Sequence, residues 1–256
     1  MRSLSPMGQK IEKAIVVGAS SGMGASLARE LAAAGATVAL VARRDDELQK
    51  VAQGISTGWG EGKAKTYEHD VTKFDEVPGL FERICADLGG CDLICYAAGV
   101  MNVPAEDEFS FDKDSPVIAV NLTGAVAWLN QAAVLFQKQG RGVIVGISSI
   151  AGDRGRRGFP AYHAAKAGLS TFLESLRNRL TQHGVQVTTI KPGFIDTSMT
   201  RGMEGLFWLK TPDEAARMIM SAVRKGKQTS YVPGRWRLVA MVIRSIPSFI
   251  FRRMSI

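Results

Sequence analysis

Long apolar runs are missing from this chain. No stretch of about eighteen or more apolar residues occurs in its 256 residues, so no ordinary transmembrane helix is expected. Cysteine is scarce as well. The three thiols, Cys85, Cys91 and Cys95, are odd in number, and two of them lie in the apolar run CDLICYAAG. They read as buried free thiols, which excludes a disulfide framework. The three histidines show no metal-ligand spacing, so no metal site is expected. The start, MRSLSPMGQK, lacks the apolar segment of a signal peptide, and only Met1–Gln9 resembles a disordered piece.

The net charge is +8, but neither a zinc-finger spacing nor an RNA-binding aromatic motif accompanies it. The excess reads as spread over the chain, with concentrations at Arg154, Arg156 and Arg157 and in the C-terminal segment. A solvated basic surface is the expectation, and no nucleic-acid partner. With 46% hydrophobic and 22% charged residues the composition is that of a globular protein, and a cytoplasmic location is expected.

What is present is a regular alternation. Apolar, β-branched runs at Ala14–Val17, Thr37–Val41, Ala64–Glu68, Leu93–Ala97, Val143–Ile147, Gln186–Ile190 and Ser230–Val232 read as strands. Helical patterns lie between them, at Gly22–Ala34, Asp45–Ser56, Lys73–Leu88, Ser115–Gln139, Pro160–His183 and Pro212–Lys225. Strands apolar throughout suit a sheet covered on both faces. The order predicts an α/β, Rossmann-type, doubly wound parallel sheet of about seven strands in one domain, residues 11–233. Asp45 and Thr211 are placed to cap helices, and Gly35 and Gly184 to end them.

Two stretches carry chemistry. Strand Ala14–Val17 runs into Gly18-Ala19-Ser20-Ser21-Gly22-Met23-Gly24 and then an amphipathic helix. Glycines there let backbone approach a pyrophosphate, and the helix N-terminus offers it unpaired N–H groups. The second stretch is Tyr162-His163-Ala164-Ala165-Lys166, in which Tyr162 and Lys166 share a helical face. An ammonium beside a tyrosine favours phenolate and would lower its pKa toward general-acid use. Ser149, thirteen residues earlier, is a donor for a developing oxyanion, with Ser148 as its competitor. His163 points elsewhere on the helix, and His69 and His183 have no partner pattern.

In order and spacing, Gly18/Gly22/Gly24, Asn121, Ser149 and Tyr162/Lys166 resemble the short-chain dehydrogenase/reductase family over about Ile11–Pro233. The resemblance implies a nicotinamide cofactor, a carbonyl or alcohol substrate, Tyr162 as acid/base and Lys166 as its activator. It further implies Ser149 as oxygen donor and Asn121 as support for a proton-relay water. It places Asp70 and Val71 at the adenine, Ala97, Ala98 and Gly99 beside the ribose, and Pro192, Gly193, Ile195 and Thr197 at the nicotinamide. Three positions depart from the family: Val17 replaces its usual threonine, and Tyr96 and Ala97 replace two asparagines, with loss of their side-chain hydrogen bonds. Where an NAD-selective site has a carboxylate after the second strand, this chain has Arg43 and Arg44, so NADP(H) is expected over NAD(H), with Ser20 and Ser21 assisting. A non-catalytic NADP(H) sensor and a membrane-surface protein on the same fold are the alternatives.

Ser198–Lys210 reads as a lid. Its Met199, Met203, Leu206, Phe207 and Trp208, with Val100, Met101 and Val103, would wall an apolar pocket for a lipid-, steroid- or aromatic-like substrate. Residues 234–256 form a basic amphipathic extension. It has three readings: contact with an anionic membrane surface, packing over the site, or packing on another subunit. The helices Ser115–Gln139 and Pro160–His183 are where the family pairs into dimers and tetramers. Ala125, Ala127, Trp128, Ala132 and Ala133 suit that role or face the sheet.

Overall fold

The computed structural model describes residues 10–254 apart from residue 106; Met1–Gln9 lies outside the described residues. The strands are β1 (Lys13–Val17), β2 (Thr37–Ala42), β3 (Ala64–Glu68), β4 (Leu93–Tyr96), β5 (Gly142–Ile147), β6 (Val185–Pro192) and β7 (Thr229–Val232). They form one parallel sheet in the order β3-β2-β1-β4-β5-β6-β7. The order reverses between β1 and β4, which opens a crevice at the carboxyl ends of the strands.

Side-chain alternation along each strand feeds two cores. Ala14 and Val16 of β1 pack with α1 (Gly22–Ala33), α2 (Asp45–Trp59) and α7 (Pro212–Arg224). Ile15 and Val17 pack on the opposite face with α3 (Val77–Leu88), α5 (Gly124–Gln139) and α6 (Pro160–Leu180). Burial on both faces is why the strands carry no polar alternation.

Local signals held in most places. Thr211 accepts from the Glu214 amide and Glu214 reaches back to Thr211, a complete capping box for α7. Gly184 (φ 71°) ends the short 3₁₀ turn that follows α6. Asp45 is the exception. It stands inside the first turn of α2, behind Arg44, where its charge favours the helix terminus without capping it.

The helix expected from Ser115 starts earlier, as α4 (Phe111–Ile118), and reaches α5 through a π-helical turn, Ala119–Thr123. By length and composition Phe111–Gln139 is apolar enough to cross a bilayer, although no uninterrupted apolar run marks it. Its apolar side chains instead lie along the sheet: Ala125, Trp128, Leu129, Ala132 and Phe136 are fully buried. Of the two roles open to the small residues here, the described chain shows sheet packing. All three cysteines are free, with Cys91 and Cys95 buried.

Tyr96 makes a bond that loss of the family asparagine would not suggest. Its hydroxyl, fully buried, donates to the Val120 carbonyl in the π turn at 2.6 Å. Gly124 makes room for it, since a Cβ there would lie 2.6 Å from that hydroxyl. Tyr96→Phe leaves a buried carbonyl without this partner and is expected to cost about 1–2 kcal/mol. Chemical denaturation checks this; an unchanged midpoint refutes the assigned role.

Candidate active site

The crevice at the switch point collects the sequence-predicted residues. Gly18 (φ 90°) ends β1, and a Cβ there would collide with the Ala97–Ala98 backbone. The glycine thus lets two strand ends touch. Gly22 (φ 54°) begins α1, and its α-carbon faces Thr197, whose methyl would lie 3.2 Å from an added Cβ. Ser21, at the N-cap of α1, makes no side-chain cap. The first-turn N–H groups of α1 therefore stand open at the crevice, the arrangement that binds a phosphate.

Arg44 donates to the Ser20 and Ser21 hydroxyls at 3.0 and 2.9 Å, joining the strand end to the glycine turn. Arg43 is largely exposed and lies 3.8 Å from Asp70. Burial pushes the Asp70 carboxyl up, but hydrogen bonds from the Thr72 amide and hydroxyl outweigh it and, with Arg43, hold the group below its usual value. Val71 packs under this edge, against the second core.

Deeper in, Asn121 is fully buried in the π turn. Its amide donates to the carbonyls of Val100 (2.7 Å) and Val117 (2.9 Å), and its oxygen accepts from the Val100 amide. Those bonds pin the 97–100 segment over the site. Gly99 crosses Asn121 so closely that a Cβ would sit 2.7 Å from Oδ1 and 3.6 Å from the Lys166 ammonium.

Lys166 is buried and donates to the Ile147 carbonyl at 2.9 Å. Burial pulls its pKa down to about 8, so it is charged at neutral pH and loses the charge as pH rises past that value. Its Nζ lies 5.6 Å from the centre of the Tyr162 ring. The lowered phenol pKa expected from this neighbour is not what the geometry produces. Burial raises the Tyr162 pKa, and only its hydrogen bond with Ser149 opposes that. The physical reason is that the ammonium is held at Ile147, over the ring, while the phenol itself is desolvated.

Ser149 and Ser148 part company. Ser148 is committed to the Lys166 carbonyl (2.9 Å) and Ser170 (2.7 Å), whereas Ser149 accepts only from the Ala151 amide besides meeting Tyr162. Ser149 is thus the freer hydroxyl, as the spacing indicated.

These groups border a cavity of about 320 Å³. Met23, Pro192, Gly193, Ile195 and Thr197 form one side, and Met101, Met199, Met203 and Leu206 supply apolar wall. Val103 is exposed instead, and Val100 packs into the core. The lid leaves after Ile195 and returns at Lys210, where a bridge between those two residues closes its base. Within it Phe207 and Trp208 turn away from the cavity and stack with Trp236, at 4.9 and 5.4 Å between ring centres. The tail accordingly packs over the site: Trp236 opens α8 (Trp236–Ser245) and lies directly beneath Gly193, whose position no side chain could share.

Several cavity residues escaped the sequence reading, among them Ile150, Ala151, Phe159 and three with side chains of chemical interest. His163 lines the wall, its Nδ1 2.8 Å from the Ala151 carbonyl, because the turn after β5 folds back beside α6. Phe194 and Arg156 line it too. The run RGRRG was the only sequence signal for Arg156, and it reads equally as surface. His69 is buried beside Trp128 away from the site.

The family model for short chain dehydrogenases matches residues 12–204. The chain is 35% identical over 245 residues to an uncharacterized oxidoreductase of Myxococcus xanthus, covering 93% of this chain and 94% of that one. It is 30% identical over 246 residues to an uncharacterized oxidoreductase of Mycobacterium tuberculosis, covering 95% and 97%. Among solved structures, a short-chain type dehydrogenase/reductase from Mycobacterium marinum superimposes with a TM-score of 0.77 at 26% identity, over 88% of this chain and 94% of that one.

Proposed function

The chain belongs to the short-chain dehydrogenase/reductase family, and we propose that it is an NADP(H)-dependent enzyme that interconverts a carbonyl and a secondary alcohol on an apolar substrate. One observation carries the reading: Tyr162 and Ser149 line a largely apolar cavity that Met23 of the first turn of α1 also borders, with the Lys166 ammonium 5.6 Å from the centre of the Tyr162 ring.

The residues present fit a dinucleotide. The uncapped turn at Ser21–Gly24 suits its pyrophosphate, the Gly22–Thr197 approach suits a flat ring near the cavity, and Asp70 suits the adenosine end. Arg43 and Arg44 stand beside that end, with Arg44 already oriented by Ser20 and Ser21. Two guanidiniums in place of a carboxylate favour a 2′-phosphate. When bound, the nicotinamide supplies or accepts the hydride.

The chain's own residues then handle the proton. In the reductive direction Ser149 donates a hydrogen bond to the carbonyl oxygen, and the Tyr162 hydroxyl gives its proton to that oxygen as the C–O bond becomes single. The resulting phenolate has the Lys166 ammonium over its ring. Asn121 holds the 97–100 segment by two hydrogen bonds to Val100 and is itself anchored by a third to the Val117 carbonyl.

Tyr162→Phe is expected to lower turnover of NADPH with a carbonyl by about 10²-fold or more while NADPH binding persists. A variant with full turnover refutes the role of the hydroxyl; tight binding without turnover in the unaltered protein favours the sensor reading instead. Arg43→Ala is expected to reduce the ratio of kcat/KM for NADPH over NADH by about tenfold, the effect of one lost charge-assisted contact. An unchanged ratio removes Arg43 from cofactor selection.

A further inference from the structure

Counted by segment, the net charge is not spread over the chain as its dispersed arginines suggest. Residues 215–256 hold nine lysines and arginines and no aspartate or glutamate, so the rest of the chain carries a net charge of −1. That basic segment ends in α8 and α9 (Ser248–Phe251). The inner side of α8 is already covered: Trp236 and Ala240 are buried against Ile150, Phe194 and Tyr231. Arg154 ties the two helices down, donating to the Ile243 and Ile246 carbonyls at 2.6 and 2.5 Å and lying 3.9 Å over the Phe251 ring.

The outer side remains apolar and open. Leu238, Met241 and Val242 follow helical spacing and are 54–65% exposed, and Phe249 and Ile250 extend the face. The exposed arginines 235, 237, 244, 252 and 253 are interspersed with them. Helix α8 has 10 residues, too short to span a bilayer but suited to lie in its surface. Self-association through this face would oppose two segments of one charge sign, whereas an anionic surface complements it. We propose that the outer face of α8 and α9 docks on an anionic lipid bilayer, bringing the cavity that Trp236 borders to the membrane surface.

Sedimentation of the full-length protein with vesicles tests this. Binding to phosphatidylglycerol/phosphatidylcholine vesicles is expected, with at least about tenfold weaker partition to pure phosphatidylcholine. A similar drop is expected for Leu238→Ser/Met241→Ser/Val242→Ser and for Arg237→Gln/Arg244→Gln, each checked for an unchanged unfolding midpoint. Absence of binding, equal partition to neutral vesicles, or undiminished binding of the folded triple variant overturns the proposal. A dimer in solution that the triple variant dissolves would assign the face to a second copy and overturns it equally.

A separate observation concerns the cavity and rests on its reading as the substrate site. Arg156 lines the apolar wall, and among the described residues it has no hydrogen bond or ion pair. The neighbouring acid, Asp153, is engaged by Lys191 at 2.5 Å and by the Tyr231 hydroxyl at 3.0 Å. Glu204 also lines the cavity but is itself exposed on the lid. A half-buried guanidinium whose neighbouring carboxylate is already bonded to two other groups keeps its donors for an oxyanion in the cavity. We infer that Arg156 receives an oxyanion, a carboxylate or phosphate, on the substrate, making that substrate an amphiphile with one anionic end.

Calorimetric titration of the NADPH complex with 4-phenylbutyrate and with 4-phenylbutanol reads this without turnover. The acid is expected to bind at least about tenfold tighter than the alcohol, the range for a charged hydrogen bond. Arg156→Gln should abolish that preference and Arg156→Lys should retain part of it. Equal affinities in the unaltered protein, a preference surviving in Arg156→Gln, or binding of neither ligand overturns the inference. Failure of the catalytic reading shows separately, as Tyr162-independent or absent turnover.

Discussion

The site rests on two close passages of glycine backbone, one over backbone and one over side chains. Gly18 lies against Ala97–Ala98, and Gly99 lies against Asn121 and Lys166. A Cβ on Gly18 would collide with that backbone and one on Gly99 with the Asn121 side chain, so the ends of β1 and β4 meet only because Gly18 carries no side chain. Asn121 then locks the second passage with two hydrogen bonds to Val100 from within a π turn, a third to Val117 fixing its own side chain. Such turns expose backbone groups that a regular helix would pair internally, and here Tyr96 takes up the Val120 carbonyl. Shifting any one of these contacts would move Lys166 and Tyr162 relative to the glycine turn.

A second constraint joins the cavity to the far end of the chain. Phe194 follows β6, Phe207 and Trp208 belong to the lid, and Trp236 begins the tail, yet all four rings pack, mostly edge to face, into one cluster. The lid aromatics therefore serve as an anchor, and the methionines and Leu206 are left to face the cavity. Flexible thioethers adapt to a range of apolar shapes.

The seven strands were legible because a sheet buried on both faces needs uninterrupted apolar, β-branched runs, and helices between them need a different period. The glycine turn, Ser149 and the Tyr162/Lys166 pair were legible because their chemistry is set by separation along one strand end or one helical turn. Arg156 and His163 were not, since a cation in a loop reads as solvent-facing until the loop is seen to fold back beside α6. Nor was the direction of the Tyr162 pKa. Adjacency along a helix suggests an electrostatic partner, but burial of the phenol, set by everything packed around it, prevailed.

By itself the sequence determined the layered α/β fold and the order of its elements through periodicity and short-range spacing, and through its resemblance the family and the candidate site residues. Only the tertiary structure decided where the tail lies, which lid residues face the cavity, which serine is free and which arginine stands unpartnered inside it. Those depend on contacts between segments far apart in the chain, and local pattern holds no record of which surfaces meet.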